Sequence, residues 1–379
     1  MTGEKKKMKI FAVSDVHSFY SELVRALKEA GYDRDNEEHL LVMCGDFFDR
    51  GGEPLEMLEF LEGLNPDRVV LLRGNHDDMM EDALIDGRIQ SVHERNGTEK
   101  TLSTLFGLSP FYLDSALRRS AFSPMGKRLR RLICRMQDML ETDNYIFVHG
   151  WLPLKGIGRF ARLVPDPVHA THAEWRTARW TEWMEAYRNG LTVKGKTVVC
   201  GHRACAYAST IVQGRDRQDS SIFFGDGVCA IDALTVVSGR VNVLVAEDFV
   251  TVSRTHEMSL VDEMYEEIRI GEKRVEMRLF DEKRKNLRLG DVIVFSNADR
   301  PDAPTIETKV TSLHVYPSFA ALAKEFAPAG LGFDATHTAE DIAAYMERIY
   351  GDRCRSEKAI AIGIAHRRAV CGEICPSGK

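Results

Sequence analysis

Short runs of consecutive apolar residues recur along the first half of the chain, and each run ends in polar side chains. Four or five aliphatic or β-branched residues without polar alternation are typical of a strand buried on both faces of a layered α/β fold. The runs are Lys9–Val13, Leu40–Cys44, Val69–Leu72, Tyr145–Val148 and Thr197–Cys200. Because open α/β sheets carry their sites at the carboxyl ends of strands, the pattern predicts an α/β fold with a functional site at these ends.

Helical spacing of apolar residues separates the predicted strands. It predicts helices over Tyr20–Ala30 and Pro54–Leu64. Residues 115–137 contain seven Lys or Arg and no acid, while Leu129, Leu132, Ile133 and Met136 follow helical spacing. One face of this helix is therefore core and the other is basic. The basic face is either an ordinary solvated surface or a wall that attracts an anionic substrate.

The second half of the chain changes character twice. Strand-like runs at Ser221–Phe224, Val228–Ile231 and Val241–Ala246 predict meander strands that complete a sheet. A charged stretch follows near residues 250–257, where we expect a domain boundary. The 379 residues are then divided into a catalytic domain at 1–252, a small domain at 256–368 and a tail at 369–379. About 150 residues per domain is the usual expectation.

Composition excludes several classes of protein. With 44% hydrophobic and 28% charged residues, the chain is globular rather than disordered or fibrous. No apolar run reaches the roughly 18 residues of a membrane helix, so we expect no membrane partner. The eight cysteines form no CxxC pair, which favours reduced thiols and a cytoplasmic location. The net charge of −6 argues against coating of nucleic acid by the whole chain.

Five motifs follow the five predicted strands. They are D-x-H at Asp15–His17, G-D-x-x-D-R-G at Gly45–Gly51, R-G-N-H-D at Arg73–Asp77, H-G at His149-Gly150 and G-H at Gly201-His202. Two divalent cations require carboxylate, imidazole and carbonyl ligands with one bridging carboxylate. We predict that Asp15 and His17 hold one ion together and that Asp46 bridges. Three further ligands would complete the second ion: Asn75, His149 and His202.

This ligand set predicts hydrolysis of a phosphate ester. Two cations would lower the pKa of a bridging water to about 7, giving a hydroxide that attacks phosphorus in line. His76 would protonate the leaving alkoxide, and Asp49 would orient its imidazole. Arg50 and Arg73 offer planar donor forks for phosphate oxygens. The alternative, that each of these side chains is a satisfied cap or core polar group, requires five separate coincidences.

These motifs make the first 250 or so residues resemble the phosphoprotein phosphatase branch of the calcineurin-like metallophosphoesterases, including bacterial Ser/Thr phosphatases and diadenosine tetraphosphatases. The resemblance implies a β-sandwich of two mixed sheets flanked by helices, with the ligands and catalytic pair named above. Ser18, Asp77 and Trp151 depart from residues common in the family. A further phosphate-binding arginine is implied between the last two histidines, with Arg176 and Arg179 as candidates.

The last third of the chain carries a second pattern, G-x-K-x-x-E-x-R-L-x-D-x-K-R followed by G-D-x-I-x-F. Between residues 269 and 288 there are eight Lys or Arg against four acids. The pattern resembles the ASCH domains, small PUA-like β-barrels that are generally inferred to bind RNA. The resemblance implies that Lys273, Glu276, Arg278 and Arg284 line a cleft. The alternative is a basic turn whose Glu276 and Arg278 form structural ion pairs.

We therefore predict a dinuclear phosphoesterase that hydrolyses phosphomonoesters in the manner of a Ser/Thr protein phosphatase and carries an RNA-binding ASCH module. Its substrate would be a phosphoprotein or a nucleotide. One alternative is a nucleotide, diadenosine polyphosphate or RNA-end phosphatase. The other is an RNA-binding regulator with a vestigial phosphatase domain. Manganese is the expected metal, and the ligand mixture also suits iron, zinc and magnesium.

Overall fold

The computed structural model describes residues 4–156, 158–216 and 218–367, so the predicted tail at 369–379 lies outside the described residues. The chain divides into two units. The first runs to Pro167 and resumes over Glu174–Val252, and the second takes Val168–Ala173 and begins again at Ser253. The domain limits 1–252 and 256–368 stay predictions. In the described part of the chain, every helix is too short or too polar to cross a membrane.

The first unit contains two mixed sheets and a small ribbon. Its strands are β1 (Lys5–Val13), β2 (His39–Cys44), β3 (Val69–Leu72), β4 (Leu140–Glu141), β5 (Tyr145–Phe147), β6 (Leu154–Lys155), β7 (Arg162–Leu163), β8 (Thr197–Cys200), β9 (Phe223–Gly225), β10 (Val228–Ala230) and β11 (Leu244–Thr251). One sheet has the order β11-β1-β2-β3, the other has the order β4-β5-β8-β10-β9, and β6 pairs with β7. Three adjacent strands run parallel in each sheet, β1, β2 and β3 in the first and β5, β8 and β10 in the second. The antiparallel strands are β11 at one edge of the first sheet and β4 and β9 at the two edges of the second.

Helices join these strands along the chain. They are α1 (Tyr20–Glu29), α2 (Pro54–Glu62), α3 (Asn75–Asp86), α4 (Ser91–Asn96), α5 (Thr98–Phe106), α6 (Pro110–Ser120), α7 (Pro124–Cys134), α8 (His172–Arg179), α9 (Trp183–Arg188), α10 (Cys205–Gln213) and α11 (Thr235–Ser238). Short 3-10 helices lie at Gly158–Phe160, Pro167–His169, Arg284–Asn286 and Pro328–Leu331.

The continuous apolar runs are explained by burial on both faces. Ile10 and Ala12 of β1 pack in a cluster that also contains Phe147 of β5, which joins the two sheets face to face. Phe11 and Val13 point the other way, into a cluster with the helices. A strand covered on both sides needs no polar alternation, and the predicted β-sandwich flanked by helices is confirmed.

One part of the predicted strand order is wrong. The predicted meander strands 221–224 and 228–231 form β9 and β10 of one sheet, but the third forms β11 of the other sheet. There β11 runs antiparallel to β1 over eight paired residues, from Lys5 opposite Thr251 to Ala12 opposite Leu244. The chain has to cross between sheets after β10, and nothing local in the sequence marks that crossing.

The second unit is built on one five-stranded sheet. Its elements are β12 (Thr255–Leu260), α12 (Asp262–Ile270), β13 (Val275–Leu279), β14 (Val292–Asn297), β15 (Ile306–Tyr316), α13 (Phe319–Ala323), α14 (Ala339–Tyr350), α15 (Arg353–Ser356) and β16 (Ala359–His366). The strand order is β12-β14-β15-β16-β13. The sheet curls into a half-barrel, with a register shift in β15 between Val310 and Ser312. This architecture agrees with the predicted small PUA-like barrel.

Candidate active site and metal centre

The carboxyl ends of β1, β2, β3, β5 and β8 bring the predicted site residues of the first unit together. Asp46 is shared by two groups of three side chains whose ligand atoms lie within 4.8 Å of one another. The first group is His17, Asp46 and His76, and the second is Asp46, His149 and His202. His76, rather than the predicted Asp15, therefore stands beside His17 in the first group.

Asp15 lies next to the second group. Its Oδ2 atom accepts a hydrogen bond of 2.9 Å from the backbone N–H of His202 and another from the Ser14 hydroxyl. The carboxylate is buried, and among the described residues it belongs to neither group of three. The ligand role of Asp15 stays a prediction.

Backbone carbonyls fix the tautomers of two histidines. Nδ1–H of His17 donates to the carbonyl of Phe48, and Nδ1–H of His149 donates to the carbonyl of Cys44, both at 2.8 Å. Burial lowers the pKa of both imidazoles, that of His149 to about 3. Each neutral ring therefore presents an unprotonated Nε2, which is how metal-binding histidines are usually oriented.

The donor atoms around His149 suit a cation. Its Nε2 lies 2.9 Å from Oδ1 of Asn75 and 3.4 Å from Oδ1 of Asp46. All three atoms offer lone pairs, and none of the three groups carries a positive charge that would attract the others. An imidazole nitrogen, an amide oxygen and a carboxylate are the ligands that divalent transition metals accept together. The residues present therefore fit a metal ion.

Besides Asp49, three buried carboxylates lie at the site: Asp15, Asp46 and Asp77. Burial raises the pKa of Asp15 to about 6 and that of Asp77 to about 7. The pKa of Asp46 also rises, first through burial and then through the charges of Asp15 and Asp77. Asp77 accepts hydrogen bonds from the backbone N–H groups of Gly74 and Asp46, at 2.8 and 3.1 Å. Like charges buried together are costly unless a cation neutralises them.

His76 and Asp49 form a hydrogen-bonded pair. Nδ1–H of His76 donates to Oδ2 of Asp49 at 2.7 Å, and the Thr98 hydroxyl donates to the same oxygen at 2.7 Å. Burial raises the pKa of Asp49 to about 7, against the hydrogen bonds from Thr98 and Thr101. The sequence does not mark either threonine as part of the site, because both lie on α5, far along the chain from Asp49.

The arginines of the motifs occupy different positions. Arg50 is exposed, and its guanidinium bonds to Nε2 of His17 at 2.8 Å and to Nε2 of His76 at 2.9 Å. Arg73 instead pairs with two carboxylates of α3, Asp78 at 2.7 Å and Glu81. The structure thus brings Arg50 into the site, whereas Arg73, predicted to bind phosphate as well, is engaged by the carboxylates of α3.

The two further candidate arginines are also engaged by acids. Arg179 is buried and pairs with Asp78 at 3.0 Å and with Asp138. Arg176 pairs with Asp82 at 2.6 Å. Asp78 therefore links Arg73 and Arg179, and these two cations keep its pKa below the ordinary value although burial acts to raise it.

Backbone geometry at the strand ends is unusual. Among the described residues, eight other than glycine have positive φ, and all but Leu234 belong to the motifs or follow them directly. These seven, with φ between +50° and +73°, are Asp15, His17, Ser18, Asp46, Asp49, Arg50 and His202. Such conformations are uncommon for residues with a Cβ and concentrate at functional sites.

Two motif glycines are required by close approach. A Cβ on Gly74 would lie 2.1 Å from Oδ1 of Asp46, and a Cβ on Gly201 would lie 1.8 Å from the Ser14 hydroxyl and 2.1 Å from Oδ2 of Asp15. No side chain fits at such distances, so a glycine must precede Asn75 and His202 for the carboxylates to reach the site.

The predicted cleft residues of the second unit contact one another. Lys273 and Glu276 are almost fully buried. Nζ of Lys273 lies 3.3 Å from Glu276 and donates to the carbonyl of Leu331 at 2.7 Å, while Nε of Arg278 lies 2.7 Å from Glu276. Arg284 pairs with Asp281 at 3.2 Å. These contacts match the alternative of structural ion pairs, although the first two residues are buried rather than solvated.

Comparison with known proteins agrees with this architecture. The model of the calcineurin-like phosphoesterase family matches residues 8–206, and that of the ASCH domain matches residues 258–363. The asymmetrical bis(5'-nucleosyl)-tetraphosphatase PrpE of Bacillus velezensis is 27% identical over 204 residues, covering 50% of this chain and 75% of that protein. Shewanella-like protein phosphatase 1 of Plasmodium berghei is 30% identical over 158 residues, covering 38% and 40%.

A solved structure is also similar to this chain. The cold-active protein-tyrosine phosphatase of a psychrophilic Shewanella species is 21% identical, with 63% of this chain and 75% of that chain covered and a TM-score of 0.37. The family model spans more than half of the 379 residues. The chain therefore belongs to the calcineurin-like phosphoesterase family and is a hydrolase, and its C-terminal region carries an ASCH domain.

Proposed function

We propose that the first unit hydrolyses phosphomonoesters, in the manner of a Ser/Thr protein phosphatase, at a site that holds two divalent metal ions. The observation that supports this most directly is the position of Asp46, which is common to both groups of ligand atoms. When bound, two cations would neutralise phosphate charge and activate a water for attack on phosphorus. Manganese is the metal we would test first.

The chain's own residues take distinct roles in this proposal. Asp15, His17 and Asp46 would hold one ion, and Asp46 with Asn75, His149 and His202 would hold the other. Asp46 would be the ligand common to both ions, since its two carboxylate oxygens face different histidines: Oδ1 lies 3.4 Å from Nε2 of His149, and Oδ2 lies 3.9 Å from Nε2 of His17.

His76 would supply the proton for the leaving group. Asp49 occupies Nδ1, so Nε2 is the atom left to face a substrate. Arg50 donates to that Nε2, so its guanidinium would have to turn to the substrate before Nε2 could carry the proton for the leaving group. Its planar donors suit the oxygens of a phosphate placed beside His76. The same role for Arg73 would require it to leave Asp78 and Glu81, so we rank Arg73 below Arg50 as a phosphate ligand.

A second candidate function is hydrolysis of nucleoside polyphosphates. It is favoured by relatives whose names state bis(5'-nucleosyl)-tetraphosphatase activity, including PrpE of Bacillus velezensis. The proposed site residues would contact phosphate and metal in either reaction, so they do not choose between the two substrates. An RNA-end phosphatase is a variant of the same idea.

The deciding experiment compares substrates on the full chain loaded with manganese. Phosphoserine peptide, diadenosine tetraphosphate and a 5'-phosphorylated oligonucleotide would be assayed under identical conditions. The first proposal expects the phosphopeptide to have the highest kcat/KM, and a preference for the dinucleotide would establish the second candidate instead. In parallel, Asp46→Asn should lose bound manganese and lower turnover by more than about 100-fold.

An inactive protein would favour the remaining alternative, an RNA-binding regulator with a vestigial phosphatase domain. If no phosphate ester is hydrolysed and Asp46→Asn binds as much manganese as the original chain, the phosphatase unit is vestigial and the protein acts through RNA. The control is Asp216→Asn, an exposed carboxylate outside the site, which should leave metal content and rate unchanged.

We also propose that the second unit binds RNA. The ASCH match and the excess of basic residues between 269 and 288 support this. Arg278 and Arg284 are the best-placed contacts, since their side chains are 17% and 16% exposed, against 3% for Lys273 and 5% for Glu276. Arg278→Ala should weaken binding of a single-stranded RNA probe, and the exposed Arg355→Ala serves as control.

We infer a cytoplasmic location as well. The described cysteines are all free thiols, and four of the six are buried, which suits a reducing compartment. Oxidation state measured on protein recovered from cells under alkylating conditions would test it, with disulfide-linked species counting against the inference.

A further inference from the structure

Two consecutive helices, α6 and α7, present an unusual outer face. Seven of the residues between 115 and 137 are basic and none is acidic, while α6 also carries one exposed acid, Asp114, which accepts a hydrogen bond from the backbone N–H of Ile89. Arg128 pairs with Glu62, and Arg135 donates to the carbonyls of Leu61 and Leu64. Four others form no ion pair with any residue that the structure describes: Arg118, Arg119, Lys127 and Arg131.

Exposed aromatic residues are interspersed with these cations along the two helices and the turn between them. Phe111 is 85% exposed, and Tyr112 and Phe122 are each 62% exposed. Phe111 and Tyr112 pack edge to face with ring centroids 5.1 Å apart. The guanidinium of Arg130 lies 4.9 Å from the ring centre of Phe122. We call Phe111, Tyr112, Phe122, Arg130 and the four unpaired cations the α6–α7 surface.

The core does not need these side chains. The inner faces of the two helices bury Leu113 and Leu117 on α6 and Leu129, Leu132 and Ile133 on α7. If the three aromatic residues were polar, that core would be unchanged and less apolar area would be exposed to water, so the fold does not require the rings. Exposed aromatic groups of this kind are characteristic of interaction surfaces.

We propose that the α6–α7 surface binds single-stranded nucleic acid. Unpaired cations can contact backbone phosphates, while exposed rings can stack unpaired bases, and this combination is how proteins hold single strands without reading their sequence. The charge complementarity supports a polyanion as the partner. The exposed rings favour a polyanion whose bases can stack on them over a polyanion that has no bases.

The composition of the surface also favours nucleic acid over a membrane. Membrane-surface helices bury a continuous apolar face of Trp, Phe and Leu side chains beneath the headgroups. Across Pro110–Cys134 the exposed large hydrophobic residues are the three aromatic ones, with no exposed leucine, isoleucine or valine. The leucine and isoleucine faces of both helices are already buried in the core, so three separate rings without a continuous apolar face suit stacking better than insertion.

The test uses the full chain and a fluorescein-labelled oligouridylate of about 20 nucleotides, followed by anisotropy between 50 and 200 mM salt. The logarithm of the association constant should fall by about 0.7 per phosphate contacted for each unit of log salt, so four cations predict a slope near −3. Arg119→Ala should reduce that slope by about 0.7. Phe111→Ala with Tyr112→Ala should weaken binding at least about fivefold for each ring that stacks a base.

Matched controls separate this surface from other parts of the chain. Phe224→Ala removes a ring that is 61% exposed on β9, and Lys28→Ala removes an exposed cation of α1. Both should leave the affinity and the salt slope unchanged. Arg278→Ala tests the second unit in the same assay.

Three results would overturn the proposal. The first is binding lost in Arg278→Ala and untouched by every α6–α7 variant. The second is loss of heparin and oligouridylate in equal measure without any effect of the aromatic substitutions, which would describe a charge patch alone. The third is tight binding to vesicles with 30% phosphatidylserine that depends on Phe111 and Tyr112, in the absence of oligouridylate binding.

Discussion

The site of the first unit and the predicted cleft of the second unit differ in how they hold buried charge. Around Asp46, carboxylates and lone-pair donors of like character converge, and burial with neighbouring carboxylates raises the pKa of Asp46. Around Glu276, opposite charges stand 3.3 and 2.7 Å away on Lys273 and Arg278. Buried groups of like charge point to a cation from outside the chain, whereas opposite charges neutralise one another within the chain and leave the exposed part of Arg278 for a ligand.

The largest effect we expect comes from His76, the proposed proton donor. His76→Asn should lower kcat on p-nitrophenyl phosphate by about 10²–10⁴-fold, because the leaving group would lose its positioned acid. Manganese content, measured by elemental analysis, should stay at two ions per chain. His337→Asn, an exposed histidine of the second unit, is the control. A loss of one ion would instead make His76 a ligand, as its place beside His17 and Asp46 allows.

The second prediction concerns the buried ion pairs that Glu276 forms in the second unit. Glu276→Ala leaves Lys273 and Arg278 without their shared partner, and we expect a loss of about 3–5 kcal/mol in the free energy of unfolding of the second unit. Burial already lowers the pKa of Lys273, and Glu276 is the main group that opposes this. Urea unfolding measures the change, with the 90%-exposed Glu282→Ala as control. A change below about 1 kcal/mol would show that the pair is effectively solvated.

Asp46 should respond in the opposite direction when metal is removed. In a chelator, Asp46→Asn should raise the free energy of unfolding by about 0.5–2 kcal/mol, because it removes a buried charge that Asp15 and Asp77 repel. Adding manganese should then stabilise the original chain and leave the variant unchanged. Thermal unfolding in each condition provides the comparison. A variant that is less stable than the original chain in chelator would refute the idea of mutual repulsion.

The smallest effect concerns the support of the catalytic pair. Thr98→Val removes the hydroxyl that donates to Asp49 at 2.7 Å, and we expect kcat to fall about fivefold, the equivalent of about 1 kcal/mol. Thr98→Ser should restore the rate. The control is Thr104→Val, on the same helix, whose hydroxyl bonds only to the Lys100 carbonyl among the described residues. Equal losses in both valine variants would indicate a general effect on α5.

The strands and the main site residues could both be predicted from one local pattern, an apolar run that ends in a polar residue. Each apolar run is long enough to mark a buried strand, and each ends at the residue that the parallel arrangement brings to a common edge. Asp46 and His149 are examples, since they follow β2 and come shortly after β5. The sequence order of such endings is sufficient to infer that they meet.

Other features depend on contacts that no local pattern records. Thr98 donates to Asp49, which lies 49 residues away in the sequence. The last strand of the first unit, β11, pairs with its first strand, β1. The ion pairs of Arg73 are a different case, because the sequence does contain a pattern that predicts them. Asp78 and Glu81 lie three residues apart on α3, on the helix face that can receive Arg73, and this spacing favours an ion pair over a free phosphate contact.

The left-handed backbone at Asp49 and Arg50 has a consequence for efforts to make this protein more thermostable. Residues with a Cβ at positive φ cost of order 1 kcal/mol each, and glycine would relieve that cost at both positions. A search for stabilising substitutions would therefore rank Asp49→Gly and Arg50→Gly highly. Selection for heat resistance alone would erase the two side chains that bond to His76, so activity has to be selected in the same screen.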